Sequence, residues 1–450
     1  MGETTRGIPE RFKGALVLPG DTAYEAARRV WNGRVNRRPA LIARCLDGDD
    51  VRSGLLFARE RGLQLAIRGG GHSCAGFGTC DGGVVLDLSR MRSIRVDPTS
   101  RLATAEPGVT WAELDHATQV YGWAVPGGTD SEVGIAGLTL GGGNGWLMGL
   151  HGATCDNLVQ ATVLTADGQL LIASAEENPE LFWAIRGGGG NFGIALEFQY
   201  RLHPVGPQVI AGAVTYPWND GKAVLTRFRD WTLTAPDAVT AFACLISEKG
   251  QEPAIAIAAC YAGPPESAEP CVGGLRHLGS PISDELGPMR YVDWQSQFDA
   301  ARPFGRHCAM RSHFMNTLTD TLIEILIEEF ERAPSRLSAV IVEHCHGAIC
   351  RVEHAAMAFP HRGSPYHFEI LAFWDDEADT NINEGWLRGF YERTSPLGSG
   401  EVYVNSLDND EAGRVAEAYG PNLVRLKQLK ARYDPDNVFR INHNIPVDGF

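Results

Sequence analysis

Stretches of alternating apolar and polar residues predict paired β-strands in the first half of the chain. Residues 158–165 and 170–174 alternate on either side of an Ala-Asp-Gly turn, which is typical of a β-hairpin. Residues 94–96 and 102–106 predict a second pair of strands. Short strands joined by tight turns are therefore expected in this part of the chain.

Helices are predicted where a capping residue precedes an apolar periodicity. Thr22 and Glu25 form a Thr-x-x-Glu capping box and predict a helix that ends near Gly33. Thr110 and Glu113 form another capping box ahead of a helix. Further helices are predicted over residues 50–61 and 422–432.

The composition changes near residue 205. From there to about residue 397 glycine becomes sparse, and helical stretches alternate with apolar strands at 209–216, 254–261, 337–342 and 366–373. This pattern predicts a second lobe with a broad sheet covered by helices. A chain of 450 residues is also too long for one typical domain, so two lobes are expected.

A glycine-rich loop follows the apolar run at residues 63–67. The loop reads Arg68, Gly69, Gly70, Gly71, His72 and Ser73. Residues without a Cβ let backbone N–H groups approach a bound group closely, and that group is usually a phosphate or pyrophosphate. We therefore expect a phosphate-binding loop that projects a functional histidine. The alternative is a glycine-rich surface hairpin with an incidental histidine.

A second glycine-rich tract, residues 126–152, indicates backbone that lies against a ligand. A formal match to the dinucleotide-binding fingerprint occurs at Gly188, Gly190 and Gly193. That fingerprint must follow a strand and open a helix, whereas here a helix-like stretch precedes it and a strand-like stretch follows. A Rossmann fold is therefore not expected.

Charge and composition narrow the class of protein. The net charge of −15 argues against nucleic-acid binding, which needs a basic surface. No run approaches the roughly 18 to 20 apolar residues of a membrane span, and the first 14 residues lack the apolar region of a secretory signal. A cytoplasmic protein that does not bind membranes is therefore expected. The ten cysteines include no Cys-x-x-Cys pair, so neither a zinc ribbon nor a disulfide framework is predicted.

Seven motifs, in order along the chain, resemble those of the vanillyl-alcohol oxidase and p-cresol methylhydroxylase superfamily of FAD-linked oxidases. They are RGGGHS at 68–73, LDLS at 86–89, LGGGNGWL at 140–147, DNL at 156–158, RGGGGNFGI at 186–194, YVN at 403–405 and YDPDNVFRINHNIP at 433–446. The resemblance covers about residues 19–446. It is to the berberine-bridge-enzyme-like branch, with members similar to bacterial 6-hydroxy-D-nicotine oxidase and to polyketide-pathway flavin oxidases.

The resemblance implies an α+β protein. A two-subdomain FAD-binding fold of the p-cresol methylhydroxylase type would accompany a substrate domain whose broad antiparallel sheet is covered by helices. We expect the FAD-binding domain at residues 1–205, the substrate-binding domain at 206–400 and a C-terminal segment, 401–450, that returns to the FAD domain. The residues that match cofactor-binding positions of the family are Arg68, Gly69, Gly70, Gly71, His72, Ser73, Gly128, Thr129, Asp130, Val133, Gly134, Gly137, Gly142, Gly145, Gly193, Ile194, Asn405, Asn442 and Asn444.

His72 stands where the family attaches the flavin 8α-methyl group covalently. The alternative is a histidine that only donates a hydrogen bond. Many relatives form a second covalent link through a cysteine, but Asp130 occupies that position here. The resemblance therefore implies a single link, through His72. Asp130 either contacts the flavin edge or the substrate, or it is an exposed carboxylate of the loop.

The catalytic base is expected on a strand over residues 339–352. Alternation places His344 and His346 on one face of this strand, opposite Glu343 and Cys345. Two adjacent histidines can share a proton near neutral pH, so they are the predicted base, and a polar sheet face is the alternative. A metal site is not expected, because the two histidines have no third ligand nearby in the sequence.

The tail supplies a further catalytic candidate. Tyr403 matches a position that borders the flavin and substrate in the family, as do Asn405, Asn442 and Asn444. Asparagine amides suit the flavin edge because each offers a donor and an acceptor, while turn capping is their alternative role.

These features predict an FAD-dependent oxidase. It would transfer hydride from a small or medium-sized organic substrate, such as an alcohol, an amine or a polyketide-like compound, to flavin, with molecular oxygen as acceptor, in secondary metabolism. A flavin-dependent oxygenase or redox-neutral cyclase is one alternative. A non-catalytic FAD-binding protein is another, because His344 and His346 replace the carboxylates that relatives carry on this face. The pattern indicates no particular oligomeric state.

Overall fold

The computed structural model describes residues 12–247 and 252–447. Most of the N-terminal stretch in which no secretory signal was found therefore lies outside the described residues. The strands of the first lobe are β1 Ala15–Val17, β2 Leu41–Arg44, β3 Leu65–Arg68, β4 Val84–Asp87, β5 Ile94–Asp97, β6 Leu102–Ala105, β7 Trp123–Ala124, β8 Leu158–Leu164, β9 Leu170–Ser174, β10 Ile194–Arg201 and β11 His203–Pro204. The strands of the second lobe are β12 Gln208–Pro217, β13 Val239–Ile246, β14 Ala254–Tyr261, β15 Ser283–Asp284, β16 Gly287–Arg290, β17 His307–Met315, β18 Ala339–His344 and β19 Tyr366–Trp374.

The α-helices alternate with these strands. Those of the first lobe are α1 Tyr24–Ala27, α2 Gly48–Glu60, α3 Trp111–Gln119, α4 Ile135–Gly141, α5 Met148–His151 and α6 Pro179–Ile185. Those that follow are α7 Gly221–Thr232, α8 Ala268–Val272, α9 Tyr291–Gln295, α10 Asp320–Glu331, α11 Ala348–Arg351, α12 Thr380–Thr394, α13 Val415–Tyr419 and α14 Leu423–Tyr433. Within the described ranges, no helix combines the length and the apolar character needed to cross a membrane.

Two main sheets build the first lobe. One has the strand order β1-β2-β4-β3, with β1 antiparallel to β2 and both β2 and β3 parallel to β4. The other has the order β5-β6-β10-β8-β9 and is antiparallel throughout. The β5–β6 and β8–β9 pairs confirm both predicted strand pairs. The glycine-rich segment after α6 leads into β10 rather than into a helix, in agreement with the rejection of a Rossmann fold.

An antiparallel sheet of eight strands, in the order β15-β12-β14-β13-β18-β19-β17 with β16 beside β12, forms the second lobe. Its outer face, which includes Val340, Val342 and Phe368, packs in one core with residues of α7, α10 and α12. Its inner face, which includes Ile341 and Leu371, packs in a core shared with the first lobe. The broad, helix-covered antiparallel sheet is therefore confirmed.

The tail packs against the first lobe. Lys430 of α14 is fully buried, and its ammonium donates hydrogen bonds to Asn191 O at 3.0 Å and to Asp434 at 2.7 Å. Lys430 also bonds Phe439 O at 2.9 Å. Because a buried ammonium needs such partners, these contacts hold the tail to the segment before β10.

Two predicted elements are wrong in extent. Instead of a helix from Thr22 to Gly33, α1 covers only Tyr24–Ala27, because the chain then turns inward and buries Trp31, whose N–H donates to Gly71 O at 3.0 Å. The strand expected over residues 339–352 ends at His344. Gly347, with φ 69°, reverses the chain there and precedes α11.

Candidate active site

A cavity of about 370 Å³ lies between the first lobe, the inner face of the large sheet and the tail. Many of the predicted cofactor-binding residues line it, namely Arg68, Gly69, Gly70, Gly71, His72, Ser73, Gly128, Thr129, Asp130, Val133, Gly134, Gly137, Gly193, Ile194, Asn405 and Asn442. Gly142, Gly145 and Asn444 lie outside this lining. A Cβ at Gly142 would meet the Phe359 ring at 2.7 Å, and one at Gly145 would meet Gly127 O at 2.0 Å, so these two glycines serve close packing.

The glycine loop packs backbone to backbone against a neighbouring loop. A Cβ at Gly70 would lie 2.5 Å from the Gly134 nitrogen, and one at Gly69 would lie 2.8 Å from Pro107 O. No larger residue fits either position without moving main chain. Arg68 itself is buried, and its guanidinium donates to Asp87 at 2.8 Å, so this arginine holds the loop in place.

His72 projects from this loop beside an indole ring. The rings of His72 and Trp31 stack with centroids 4.8 Å apart and planes inclined by 22°. Burial lowers the pKa of His72 to about 4, although the charge of Asp130 opposes this effect. The imidazole is therefore neutral near pH 7, and one ring nitrogen keeps a free lone pair.

The loop that carries Asp130 is fastened to the second lobe. The Asp130 carboxylate accepts a hydrogen bond from Arg302 at 2.7 Å, and both side chains are largely buried. Next to it, the Ser131 N–H and hydroxyl donate to Asp299 at 3.1 and 2.6 Å. Asp130 is therefore part of a buried ion pair at the cavity wall, and not the exposed loop carboxylate considered as an alternative.

The tail brings Tyr403 and Asn405 to the cavity. The Tyr403 oxygen accepts hydrogen bonds from the Gly143 N–H at 2.7 Å and from Asn405 Nδ2 at 2.8 Å. Burial raises the pKa of Tyr403, so its hydroxyl keeps its proton and can donate it in a hydrogen bond. Asn442 donates to Gly190 O at 3.2 Å, while its own carbonyl oxygen is buried with no partner among the described residues.

Three ionisable side chains meet on the inner face of the sheet. Glu343 of β18 lies directly opposite His367 of β19 in the strand register, and Glu369 follows two residues later on the same face. His367 Nδ1 lies 3.0 Å from Glu343 Oε2, and His367 Nε2 lies 4.0 Å from Glu369 Oε1. The Ser406 hydroxyl donates to Glu369 at 2.5 Å. We call this set the Glu–His–Glu cluster.

The electrostatics of the Glu–His–Glu cluster favour a shared proton. Burial would lower the pKa of His367, but the hydrogen bond to Glu343 and the charges of both carboxylates outweigh it and raise that pKa. Burial raises the pKa of Glu369, against the opposing effect of His367. His367 is 1% exposed, and within the described residues its Nε2 has no hydrogen-bond partner. The donor atoms of the cluster all lie within 4.8 Å, a spacing that would also suit a divalent cation.

His344 and His346, the base predicted from the sequence, do not line this cavity. Their rings stack on each other at 4.3 Å, and His344 lies 5.7 Å from the Tyr366 ring, which belongs to the outer core. In β18 the face that points to the first lobe carries Glu343 and the outer face carries His344, while His346 lies beyond the end of the strand. The Glu–His–Glu cluster, and not this pair of histidines, therefore lines the cavity.

Sequence reasoning missed several residues that line the cavity, namely Trp31, Asn144, Arg302, His367 and Glu369. A signal for two of them existed. In the apolar strand Tyr366–Trp374, His367 and Glu369 share one face, and polar residues confined to one face of a buried strand indicate a site. Asn144 is also buried, and neither of its amide atoms has a partner within the described ranges.

Comparisons with known proteins concern the chain as a whole. The family model described as FAD binding domain matches residues 39–174, and the one described as berberine and berberine like matches residues 402–446. An FAD-linked oxidoreductase of Dictyostelium discoideum is 31% identical over 97% of this chain and 95% of its own length. The (R)-6-hydroxynicotine oxidase of Paenarthrobacter nicotinovorans is 30% identical over 98% of both chains.

The fold agrees as well. The crystal structure of 6-hydroxy-D-nicotine oxidase from Arthrobacter nicotinovorans superposes with a TM-score of 0.87, at 29% identity, over 97% of this chain and 99% of that one. A berberine-bridge-enzyme-like protein of Physcomitrella patens has a TM-score of 0.89 at 24% identity, over 98% of both chains. These likenesses confirm the predicted fold type.

Proposed function

The chain belongs to the berberine-bridge-enzyme-like FAD-linked oxidoreductases, and on that premise we propose that it is an oxidase with FAD attached to His72. Its substrate would be a small or medium-sized organic compound, such as an alcohol, an amine or a polyketide-like molecule of secondary metabolism. Molecular oxygen would be the electron acceptor. The observation that carries the proposal is that one cavity contains the glycine loop, a neutral His72 and the Glu–His–Glu cluster.

The residues that line the cavity fit FAD. Gly69, Gly70, Gly71 and Gly134 line the cavity with main chain rather than with side chains, which suits a pyrophosphate that needs backbone N–H groups. Amide atoms of Asn144 and the carbonyl oxygen of Asn442, which have no partner among the described residues, are available for a polar ring edge. FAD, when bound, would accept the hydride and deliver the electrons to oxygen, giving hydrogen peroxide.

A single covalent link is supported by the two residues at the site of attachment. The neutral imidazole of His72 is nucleophilic, and Trp31 limits the rotation of its ring. Asp130, which replaces the cysteine of the second link, is held by Arg302. A carboxylate in this ion pair offers no thiol for a second bond.

We assign the base to His367, supported by Glu343. Glu343 accepts the hydrogen bond from Nδ1 and so orients the ring, while Nε2 is left for the substrate. His367 would take the proton of an O–H or N–H group next to the carbon that loses hydride. Tyr403 would orient the same group through its hydroxyl hydrogen, because its oxygen already accepts two hydrogen bonds.

The relatives indicate which substrates to test first. One is named (R)-6-hydroxynicotine oxidase and another xylooligosaccharide oxidase. A primary or secondary amine and a sugar both carry an N–H or O–H beside an oxidisable C–H, which is the arrangement that the Glu–His–Glu cluster can use. The carboxylates of the cluster favour the amine, because a cationic amine neutralises them.

An anaerobic substrate screen tests the proposal. Alcohols, amines, sugars and phenolic polyketides are mixed with the holoenzyme, and bleaching of the flavin absorbance is followed in a stopped-flow instrument. If the protein is an oxidase, at least one class of substrate must bleach the flavin, and one peroxide must be released per product in air. Product that carries an oxygen atom from dioxygen would instead indicate an oxygenase, and absence of bleaching by every class would favour the non-catalytic alternative.

Matched variants then test the base. For a substrate that bleaches the flavin, His367→Gln should slow the reductive step by about 10²- to 10⁴-fold, the usual contribution of a general base. His346→Gln is the control, since this ring lies outside the cavity lining, and it should leave that rate within about 2-fold of wild type. A slow His346→Gln beside a normal His367→Gln would reverse our assignment.

A further inference from the structure

Two cysteine sulfurs meet where the lobes join. Sγ of Cys74, two residues after His72, lies 3.6 Å from Sγ of Cys308 in β17. Cys74 is 5% exposed and Cys308 is fully buried. The two residues are separated by 234 positions in sequence, so their contact is made only when the two lobes are packed together.

One side chain holds both cysteines in place. Asn32 Nδ2 donates hydrogen bonds to Cys74 O at 2.7 Å and to Cys308 O at 2.9 Å. Asn32 Oδ1 accepts the Cys308 N–H at 3.1 Å. With both main chains fixed to one amide, the sulfurs need to approach by only about 1.5 Å to reach the length of a disulfide bond.

The two thiols differ in access. Cys74 lines the active-site cavity, whereas Cys308 does not. A small oxidant released in that cavity would therefore meet Cys74 first, and Cys308 would lie behind it. This is the arrangement of a cysteine that reacts with peroxide and a second, resolving cysteine that then forms the disulfide with it.

We propose that Cys74 and Cys308 are a peroxide-sensitive pair that forms a disulfide between the two lobes. Cys74 sulfur, on losing its proton, attacks one oxygen of hydrogen peroxide; an S–O bond forms, the O–O bond breaks, and the departing hydroxide takes up the proton as water. Cys308 sulfur then attacks Cys74 sulfur, the S–O bond breaks, and the second hydroxide leaves as water with the Cys308 proton. Two thiols are oxidised by two electrons, and one peroxide is reduced to two waters.

The source of peroxide depends on the proposed oxidase function, whereas the contact between the two cysteines does not. The hydrogen bond with Cys308 and burial both raise the pKa of Cys74, so this cysteine rests as a thiol rather than a thiolate and reacts slowly with dilute oxidants. Peroxide formed inside the cavity avoids this limitation through its high local concentration. The disulfide would then accumulate over many turnovers and would tie β17 to the loop that carries His72.

Mass spectrometry of the holoenzyme tests the pair. The protein is incubated with millimolar hydrogen peroxide, unfolded in iodoacetamide and digested without reductant. We expect a cross-linked peptide that contains Cys74 and Cys308, that is absent before treatment and that disappears with dithiothreitol. The apparent melting temperature should rise by about 5 °C, because a link across so long a loop restricts the unfolded chain.

Single variants separate the two roles. Cys308→Ser should leave Cys74 as a sulfenic or sulfinic acid, one or two oxygen atoms heavier, whereas Cys74→Ser should leave Cys308 free for alkylation. Cys260→Ala is the matched control, because this buried cysteine lies in β14, outside the pair, and should cross-link like wild type. Full alkylation of both cysteines in peroxide-treated wild type would overturn the proposal. The assigned order would be wrong if Cys308 in the Cys74→Ser variant is oxidised as fast as Cys74 in the Cys308→Ser variant.

A turnover experiment separates this inference from the proposed oxidase activity. Substrate and air replace added peroxide, with His367→Gln as the inactive reference. Cross-linking in wild type alone would support both proposals. Cross-linking by added peroxide without cross-linking under any substrate that bleaches the flavin would support the thiol pair and contradict peroxide release in the cavity.

Discussion

A buried carboxyl group between the lobes makes the stability of this protein dependent on pH. Asp115 of α3 is 1% exposed, and its Oδ2 accepts one hydrogen bond, from Gln295 Nε2 of α9 at 3.0 Å. Within the described residues, Oδ1 of Asp115 and the Tyr291 hydroxyl have no partner. Burial raises the pKa of Asp115 from 3.8 to about 7, against the opposing effect of Gln295.

The sign of the effect follows from proton binding. Between about pH 4 and pH 7 folded Asp115 keeps its proton while the unfolded chain loses it, so the folded state binds more protons. The free energy of unfolding therefore falls as pH rises through this range and levels off above it. Each pKa unit corresponds to about 1.4 kcal/mol. Relative to a protonated Asp115, the free energy of unfolding is therefore lower by at most about 4 kcal/mol at pH 8 and by roughly 1.5 kcal/mol at pH 5.

Asp115→Asn removes the charge and keeps an oxygen for Gln295. We expect the variant to gain stability over wild type, with a gain about 2 to 3 kcal/mol larger at pH 8 than at pH 5. Urea denaturation followed by tryptophan fluorescence at both pH values measures it. Asp293→Asn, at a half-exposed position of α9, is the control and should show no such gain. An equal gain at both pH values, or a loss at pH 8, would refute the reasoning.

Three further predictions concern the cofactor and the base. His72→Ala should give a colourless pellet after acid precipitation, whereas wild type should give a yellow one; yellow wild-type supernatant would exclude the covalent link. Gly70→Ala places a methyl group 2.5 Å from a backbone nitrogen, so bound FAD and melting temperature should fall, whereas Gly389→Ala, in α12 away from the cavity and with no described atom within 4 Å of the added carbon, should retain both. Glu343→Gln keeps a hydrogen-bond acceptor but removes the negative charge that helps to raise the pKa of His367, so the acidic limb of the kcat/KM profile should move to lower pH. If the acidic limb of the profile does not move, Glu343 does not influence the base.

Elements stabilised by local bonds could be predicted from the sequence. The Thr110 capping box forms as expected, with the Thr110 N–H donating to Glu113 at 2.9 Å. The equivalent pattern at Thr22 fails, because the chain beyond α1 is fixed by distant partners. There the Trp31 indole N–H donates to Arg302 O, 271 residues away, at 3.0 Å. A helix continued to Gly33 would break that contact and remove Trp31 from His72.

The histidines predicted as the base lie outside the cavity for a reason that concerns sheets in general. Alternation along one strand separates its residues into two faces, but it does not say which face turns inward. In β18 that choice is made by neighbouring strands, which set Glu343 opposite both Phe242 and His367. The candidate site is therefore assembled across strands, since the role proposed for Glu343 depends on its hydrogen bond with His367 of the neighbouring strand. A search for such bases should therefore compare polar positions on pairs of apolar strands, and here 339–344 with 366–374 would have brought Glu343, His367 and Glu369 together.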